Sequence, residues 1–198
     1  MGMQQEIYLI LIGAAIGFLS SIGTTIVADW LNSHGKVKLY YKIVYSKLSK
    51  GRTWGFYKSS YDLFFEVPIW IELHNTSNRV RVIRDFNILL FCNGKEINQM
   101  TQNTSIKIKE SQNDDWQYID YGNKGSYSFV LQPRSIEKYD CHFIIKQNQL
   151  GDNSQFDEIK LHFFNEKDKC IKYPLKKIDH CWEVGEFKKE DIWKLATK

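Results

Sequence analysis

The chain has 198 residues, carries 27 Lys and Arg against 23 Asp and Glu for a net charge of +4, and is 15% Phe, Tyr and Trp. That length holds one domain with a real core, and so mild a charge argues against a dedicated nucleic-acid binder. The aromatic share suits a β-rich core or a stacking surface.

Ile7 to Val27 reads IYLILIGAAIGFLSSIGTTIV, 21 residues without charge or proline. As a helix rising ~1.5 Å per residue it reaches ~30 Å, the thickness of a bilayer's hydrocarbon core. Eleven of its positions are Ile, Leu, Phe or Val. They favour insertion by about 3 to 6 kcal/mol before the small polar residues subtract from it. Residues 1–31 are therefore expected to be a transmembrane anchor, with membrane lipid as the first partner. The leading MGMQQE lacks the basic residues of a signal peptide's start, and the apolar run is longer than a signal's core. Lys36, Lys38, Lys42, Lys47, Lys50, Arg52 and Lys58 follow with no acid among them. The positive-inside rule then predicts a single-pass cell-membrane protein, N-terminus outside and the rest cytoplasmic. Residues 1–31 hold only Glu6 and Asp29 as charges, which leaves the remainder with 27 basic and 21 acidic residues, a net +6. Tyr8 and Trp30 stand where aromatic side chains anchor helices at the interface.

Gly13, Gly17, Ser21 and Thr25 recur every four residues and form one ridge of small side chains; Ser20, Thr24 and Ala28 lie beside it. Gly-x-x-x-Gly is the motif for close helix approach. The ridge predicts self-association into a homo-oligomer, and in a stronger version hydroxyls lining a pore. The plainer reading is that small residues are common in membrane helices.

Residues 32–35 (NSHG) read as a short linker that leaves little slack before the head, residues 36–198. Lys36 to Lys47 alternates as a long first strand. Leu48 to Tyr61 is a connection containing Trp54 and Phe56. Phe64 to Leu73 is a second strand, whose Pro68 suggests a sheet edge or bulge at its beginning. Within it Trp70 points away from the Val67, Ile69 and Ile71 face. Arg79 to Cys92 is a third strand, broken near Arg84 and Asp85. Asn93-Gly94 is the strongest hairpin signal, because a type I′ turn needs positive φ at both central residues. Lys95 to Met100 returns. Thr101 to Lys124 is weakly patterned, with Ile106 and Ile108 hinting at a strand. Ser126 to Leu131, Ile136 to Lys146, Phe156 to Phe164 and Lys169 to Leu175 are further strands. Phe187 to Lys198 reads as a short terminal helix. Seven to nine short strands at this spacing predict a mainly β fold, first an immunoglobulin-like sandwich and second a small β-barrel.

Chemistry is sparse. Cys92, Cys141, Cys170 and Cys181 form no C-x-x-C pair, and none of the five histidines stands at metal-ligand spacing. His142 and His162 alternate out of phase with their apolar neighbours and read as surface or edge residues. No phosphate loop, dinucleotide fingerprint or nucleophile elbow is present. Residues 152–157 only superficially resemble a calcium loop. No catalytic residue, metal or cofactor is expected. Asn75-Thr76-Ser77 and Asn103-Thr104-Ser105 match the glycosylation pattern, which matters only for an exported head. Trp54 and Trp116 fall in loops, as binding anchors or core plugs. Lys50, Arg52, Trp54 and Lys58 form the best basic-aromatic cluster, fit for an anionic ligand or lipid headgroups, with Arg79, Arg81 and Arg84 as further contacts.

In its order of parts, the Ile7–Val27 span before the Lys36–Leu175 strands, the chain resembles the small membrane effectors of bacterial antiphage signalling systems, where a soluble sensor domain sits on membrane helices. The resemblance implies a nucleotide signal in a basic pocket drawn from Lys50, Arg52, Lys58, Arg79, Arg81, Arg84 and Arg134. The reading on the residues alone is a non-enzymatic, membrane-tethered β-domain that binds a small anionic molecule or a protein. The alternatives are a passive membrane-complex subunit, a scattered enzyme site, and an exported domain with two disulfides.

Overall fold

A computed structural model describes residues 2–46, 51–59, 62–108, 115–151 and 155–196. Among these residues one long helix, α1 (Met3–Ser33), precedes fourteen strands. In chain order these are β1 (Val37–Ile43), β2 (Gly55–Lys58), β3 (Leu63–Asn75), β4 (Arg81–Cys92), β5 (Lys95–Gln99), β6 (Thr101–Gln102) and β7 (Ser105–Ile108). Then follow β8 (Gln117–Asp120), β9 (Phe129–Leu131), β10 (Ile136–Lys146), β11 (Glu158–Phe164), β12 (Cys170–Lys177), β13 (Gly185–Glu186) and β14 (Lys194–Leu195).

The helix is longer than its apolar run and is apolar and long enough to cross a membrane. Leu9, Ile10, Phe18 and Leu19 are each about two-thirds exposed or more, so none of the described residues covers them. Water is a poor solvent for such a rod. The chain leaves α1 at His34, whose amide caps the Leu31 carbonyl, and turns at Gly35 with φ +117°. A Cβ there would lie 2.7 Å from the Ser77 backbone, so only glycine lets the linker press against the head.

The head is two antiparallel sheets packed face to face, with β7 and β8 pairing as a separate two-stranded ribbon. In the first, β3 runs through the middle with β10 along one side and β1 and β2 end to end along the other. In the second, β4 lies between β11 and the pair β5 and β9, and β12 forms the far edge beyond β11. Period-2 patterning decides what faces inward. Leu39, Tyr41 and Ile43, Phe65 to Leu73 at alternate positions, Cys141, Phe143 and Ile145 meet Phe86, Ile88, Leu90, Ile159, Leu161 and Phe163 in one core. Aromatic contacts stitch the sheets, Phe86 to Phe143 at 6.0 Å and Phe129 to Tyr139 at 4.4 Å. No ladder joins the two sheets among the described residues, so the arrangement is sandwich-like and not a barrel. Asn93 and Gly94 turn with φ 50° and 76° as the hairpin requires, and β4 kinks at Asp85, φ 50°. Pro68 sits within the central strand, opposite the break between β1, whose register ends at Ile69, and β2, which begins at Glu66. That break tolerates a missing amide.

Several expectations do not hold. The terminal helix expected over Phe187–Lys198 does not form in its described part, residues 187–196. Instead the segment runs extended along the open edge of the first sheet. Phe187, Glu190 and Ala196 donate their amides to the carbonyls of Trp54, Ile43 and Leu39. An unpaired sheet edge supplies backbone partners that outweigh a short helix's marginal propensity. Within the connection 48–61, Gly55–Lys58 is a strand. His142 and His162 are buried, 3% and 7% exposed, and Asn103 and Tyr121 from connecting segments pack on the His142 ring. Trp70 does occupy that outer face, packed against Tyr45 at 5.2 Å. No disulfide forms among the described residues. Burial holds the Cys141 thiol well above its ordinary pKa, and burial pushes Cys181 up to about 11.

Candidate functional site

The basic residues singled out in the sequence fall into two groups. Arg52, Trp54 and Lys58 lie beside the first half of β3, where Gly55 pairs with Glu66. Arg79, Arg81 and Arg84 lie past its other end. Nine residues of strand separate Glu66 from Asn75, about 30 Å. The described members of the set therefore do not make one pocket, and Lys50 lies outside the described residues.

Each group has structural work. Trp54 is buried, donates Nε1–H to the Lys188 carbonyl at 3.0 Å and packs on Phe187 at 4.3 Å. It plugs the core. Arg52 sits over the Tyr57 ring with its guanidinium 4.0 Å from Glu66. Lys58 is exposed at the end of β2. Arg79 pairs with Asp29 of α1, Arg81 with Glu166 at 2.5 Å, and Arg84 with Asp168. All three arginines thus face a carboxylate of the same chain.

That second group builds the junction between helix and head. Asn78 donates to the Asn32 side chain at 3.1 Å and accepts from Arg134 at 2.7 Å. Thr76 exchanges hydrogen bonds with both the amide and the carbonyl of Lys36. Arg81 also donates to the Gly35 carbonyl at 3.3 Å. It therefore links the linker, β4 and the turn between β11 and β12. Asn75 is 2% exposed and spends its amide on the carbonyls of Arg79 and Gln132. The glycosylation match at Asn75 is thus consumed by folding.

Beside this junction a cleft of about 710 Å³ opens between β1, with the β14 segment along its outer side, and β12, the edge of the second sheet. Val37, Leu39, Ile83, Phe163, Ile171 and Tyr173 supply its apolar walls. Gly35, Lys36, Glu166 and Lys169 stand at its mouth. Farther along the same gap the sheets are strapped shut. Tyr41 meets Tyr173 at 5.8 Å, and Glu190 accepts the Ile43 amide and pairs with Lys176 at 2.9 Å and Lys194 at 2.6 Å. Burial, then the Glu190 charge, pushes the Tyr41 phenol far up, so it stays a neutral donor. Burial works against the Glu190 carboxylate, but bonds from Lys194, Lys176 and the Ile43 amide outweigh it and hold its pKa below the ordinary value.

A third constellation escaped the sequence. On the outer face of the first sheet, buried Glu66 bonds His142 Nε2 at 2.5 Å, and His142 Nδ1 meets Asn103 Nδ2 at 2.6 Å. Tyr121 stacks on the imidazole at 4.9 Å and its hydroxyl bonds Ser46 at 2.7 Å. The one signal was a lone Glu66 inside the apolar run LFFEVPIW. Among the described residues no group of three His, Cys, Asp or Glu is placed to hold a metal ion.

On α1, Thr24 and Thr25 donate their hydroxyls to the carbonyls of Ser20 and Ser21. A Cβ added to Gly13 or Gly17 meets no atom within 4 Å, so these glycines relieve no contact inside the chain. Comparison with family models, with curated proteins and with solved structures returns no match.

Proposed function

We propose that this chain is a non-enzymatic single-pass membrane protein whose cytoplasmic head binds a ligand with an apolar body in the cleft between β1 and β12. The place of that cleft carries the reading: its mouth at Gly35 lies two residues past the end of a helix fit to span a bilayer. About 710 Å³ of mostly apolar wall with a few charges at the entrance has the character of a small-molecule site. Glu166, the carboxylate at the mouth, is engaged by Arg81, which speaks for holding a ligand over transforming one. The basic flank Lys36, Lys38 and Lys42 favours a cytoplasmic head. The Gly13–Thr25 ridge, open along its glycines, favours association between copies. Arg81 bonds both the linker and the cleft's rim, so a filled cleft biases the angle at which α1 leaves the head.

The test uses Cys170, an exposed residue of the lining. Full-length protein in nanodiscs is probed with hexanoate by saturation-transfer NMR. Wild type and Cys170→Ser should transfer saturation to the hexanoate methylenes, and Cys170→Trp, which fills the mouth, should not. Equal transfer in all three, or none in any, overturns the reading.

A further inference from the structure

We infer that the occupant of the cleft is the acyl chain of an anionic lipid from the adjoining leaflet, with its headgroup held by Lys36 and Lys169. The inference rests on the cleft being a ligand site, as proposed above, and names what fills it.

Depth comes first. Asp29 follows Val27, the last residue of the apolar run, by two positions, about 3 Å along the helix. Arg79 of the head grips Asp29. The tip of the head therefore reaches into the headgroup layer, which is roughly 5 to 7 Å thick on each side. The cleft mouth at Gly35 lies eight residues past Val27, about 12 Å along the helix direction, and so opens a few Å above that layer. A lipid reaches it by rising a few Å out of the leaflet, beside the tip of the head, and splaying one tail into the cleft.

The surface of the tip agrees. Val80, beside Arg79, is 51% exposed, and Ile136, at the start of β10, is 60% exposed. Both lie at the helix-proximal end, since Ile136 pairs with His74 and Arg81 follows Val80 into β4. Apolar side chains next to Arg79 and Arg134 make a surface that rests on a bilayer.

Charge chooses the headgroup. Arg79, Arg81 and Arg84 each face a carboxylate, as does Lys172, which pairs with Glu96, while Arg134 is held by the Asn78 side chain away from the cleft lining. Lys36 and Lys169, both at the mouth, have no carboxylate partner among the described residues. Two ammonium groups just above the headgroup layer attract an anionic lipid over a zwitterionic one. The walls of Leu39, Ile83, Phe163 and Ile171 offer a tail the same apolar surroundings it leaves. The gain comes from covering cleft surface that otherwise meets water.

The test reconstitutes full-length protein in phosphatidylcholine liposomes doped with phosphatidylglycerol that carries a diazirine at one chain end. After irradiation, adducts are mapped by mass spectrometry. Adducts are expected on the peptides of β11 and β12 that carry Phe163, Ile171 and Tyr173, in addition to α1, and should vanish from them in Cys170→Trp. Lys36→Gln and Lys169→Gln should each lower the cleft yield about fivefold, and leave it unchanged when the photolipid is a phosphatidylcholine. Equal cleft labelling by both photolipids in wild type overturns the anionic assignment. Adducts confined to α1 while hexanoate still binds overturn the lipid and leave the cleft as a site for a water-borne ligand. Adducts confined to α1 with no hexanoate binding bring down both readings.

Discussion

Replacing Glu190 by Ala removes the carboxylate that ties the C-terminal segment to both sheets. Its side chain is 5% exposed, takes the Ile43 amide of β1 at 3.1 Å, and pairs with Lys176 of β12 and with Lys194. A buried amide left without an acceptor costs about 1–3 kcal/mol. The two lysines are 27% and 39% exposed, so water takes them back and their lost pairing adds only about 1 kcal/mol together. The sum, about 3 kcal/mol, corresponds to a Tm roughly 6–12 °C lower for a domain of this size. Glu190→Gln keeps an acceptor for Ile43 and should lose about 1 kcal/mol. Urea and thermal unfolding of detergent-solubilised protein, followed by tryptophan fluorescence, reads both, because Trp54 and Trp182 are buried next to this segment. The sign with pH follows from a carboxylate whose folded pKa lies below its ordinary 4.5. Its contribution is complete above that value and is lost as pH falls through the folded one. The gap between wild type and Glu190→Gln should therefore close in acid. An Ala variant within about 0.5 kcal/mol of wild type, well inside the expected loss, or a gap that persists unchanged in acid, refutes the strap.

His142→Leu leaves the Glu66 carboxylate buried with only a 4.0 Å approach from Arg52, and should destabilise by about 3–5 kcal/mol. Adding Glu66→Leu should recover much of that loss in the same urea titration, since no buried charge then remains. Burial lowers the His162 pKa below 6.5, and its buried Nδ1 has no hydrogen-bond partner. The unfolded chain thus takes up a proton as pH falls below about 6.5 while the folded chain does not, and stability declines. His162→Phe should flatten the urea midpoint between pH 7 and 5.5, where wild type slopes. Gly13→Leu together with Gly17→Leu should abolish cross-linking of full-length protein between copies in membranes and leave head stability unchanged; undiminished cross-linking rejects the ridge as the contact.

Alternation was enough to read the core. Leu39 to Ile43, Val67 to Leu73 and Phe86 to Leu90 announce inward faces because a pleated strand sends successive side chains to opposite sides. The hairpin at Asn93-Gly94 was legible for an equally local reason, the backbone conformation those two residues tolerate. Arg79, Arg81 and Arg84 look alike in sequence as spare cations. Their carboxylates, Asp29, Glu166 and Asp168, arrive from 50 to 85 residues away. No pattern along the chain discloses such pairings. His142 misled for a related cause: phase tells which face of a sheet a residue takes, not whether a loop then covers that face.

What the sequence determined by itself is everything with a short period or a long apolar run: a rod fit for lipid, strands of two-residue repeat, a tight turn. These depend on neighbours within a few bonds. Only the tertiary structure decided that residues 187–196 lie along a sheet edge, that Glu66 and His142 share a buried bond, and that a cleft opens where the helix meets the head. Each of those is a contact between distant segments, and its free energy comes into being only when folding brings both partners to one place.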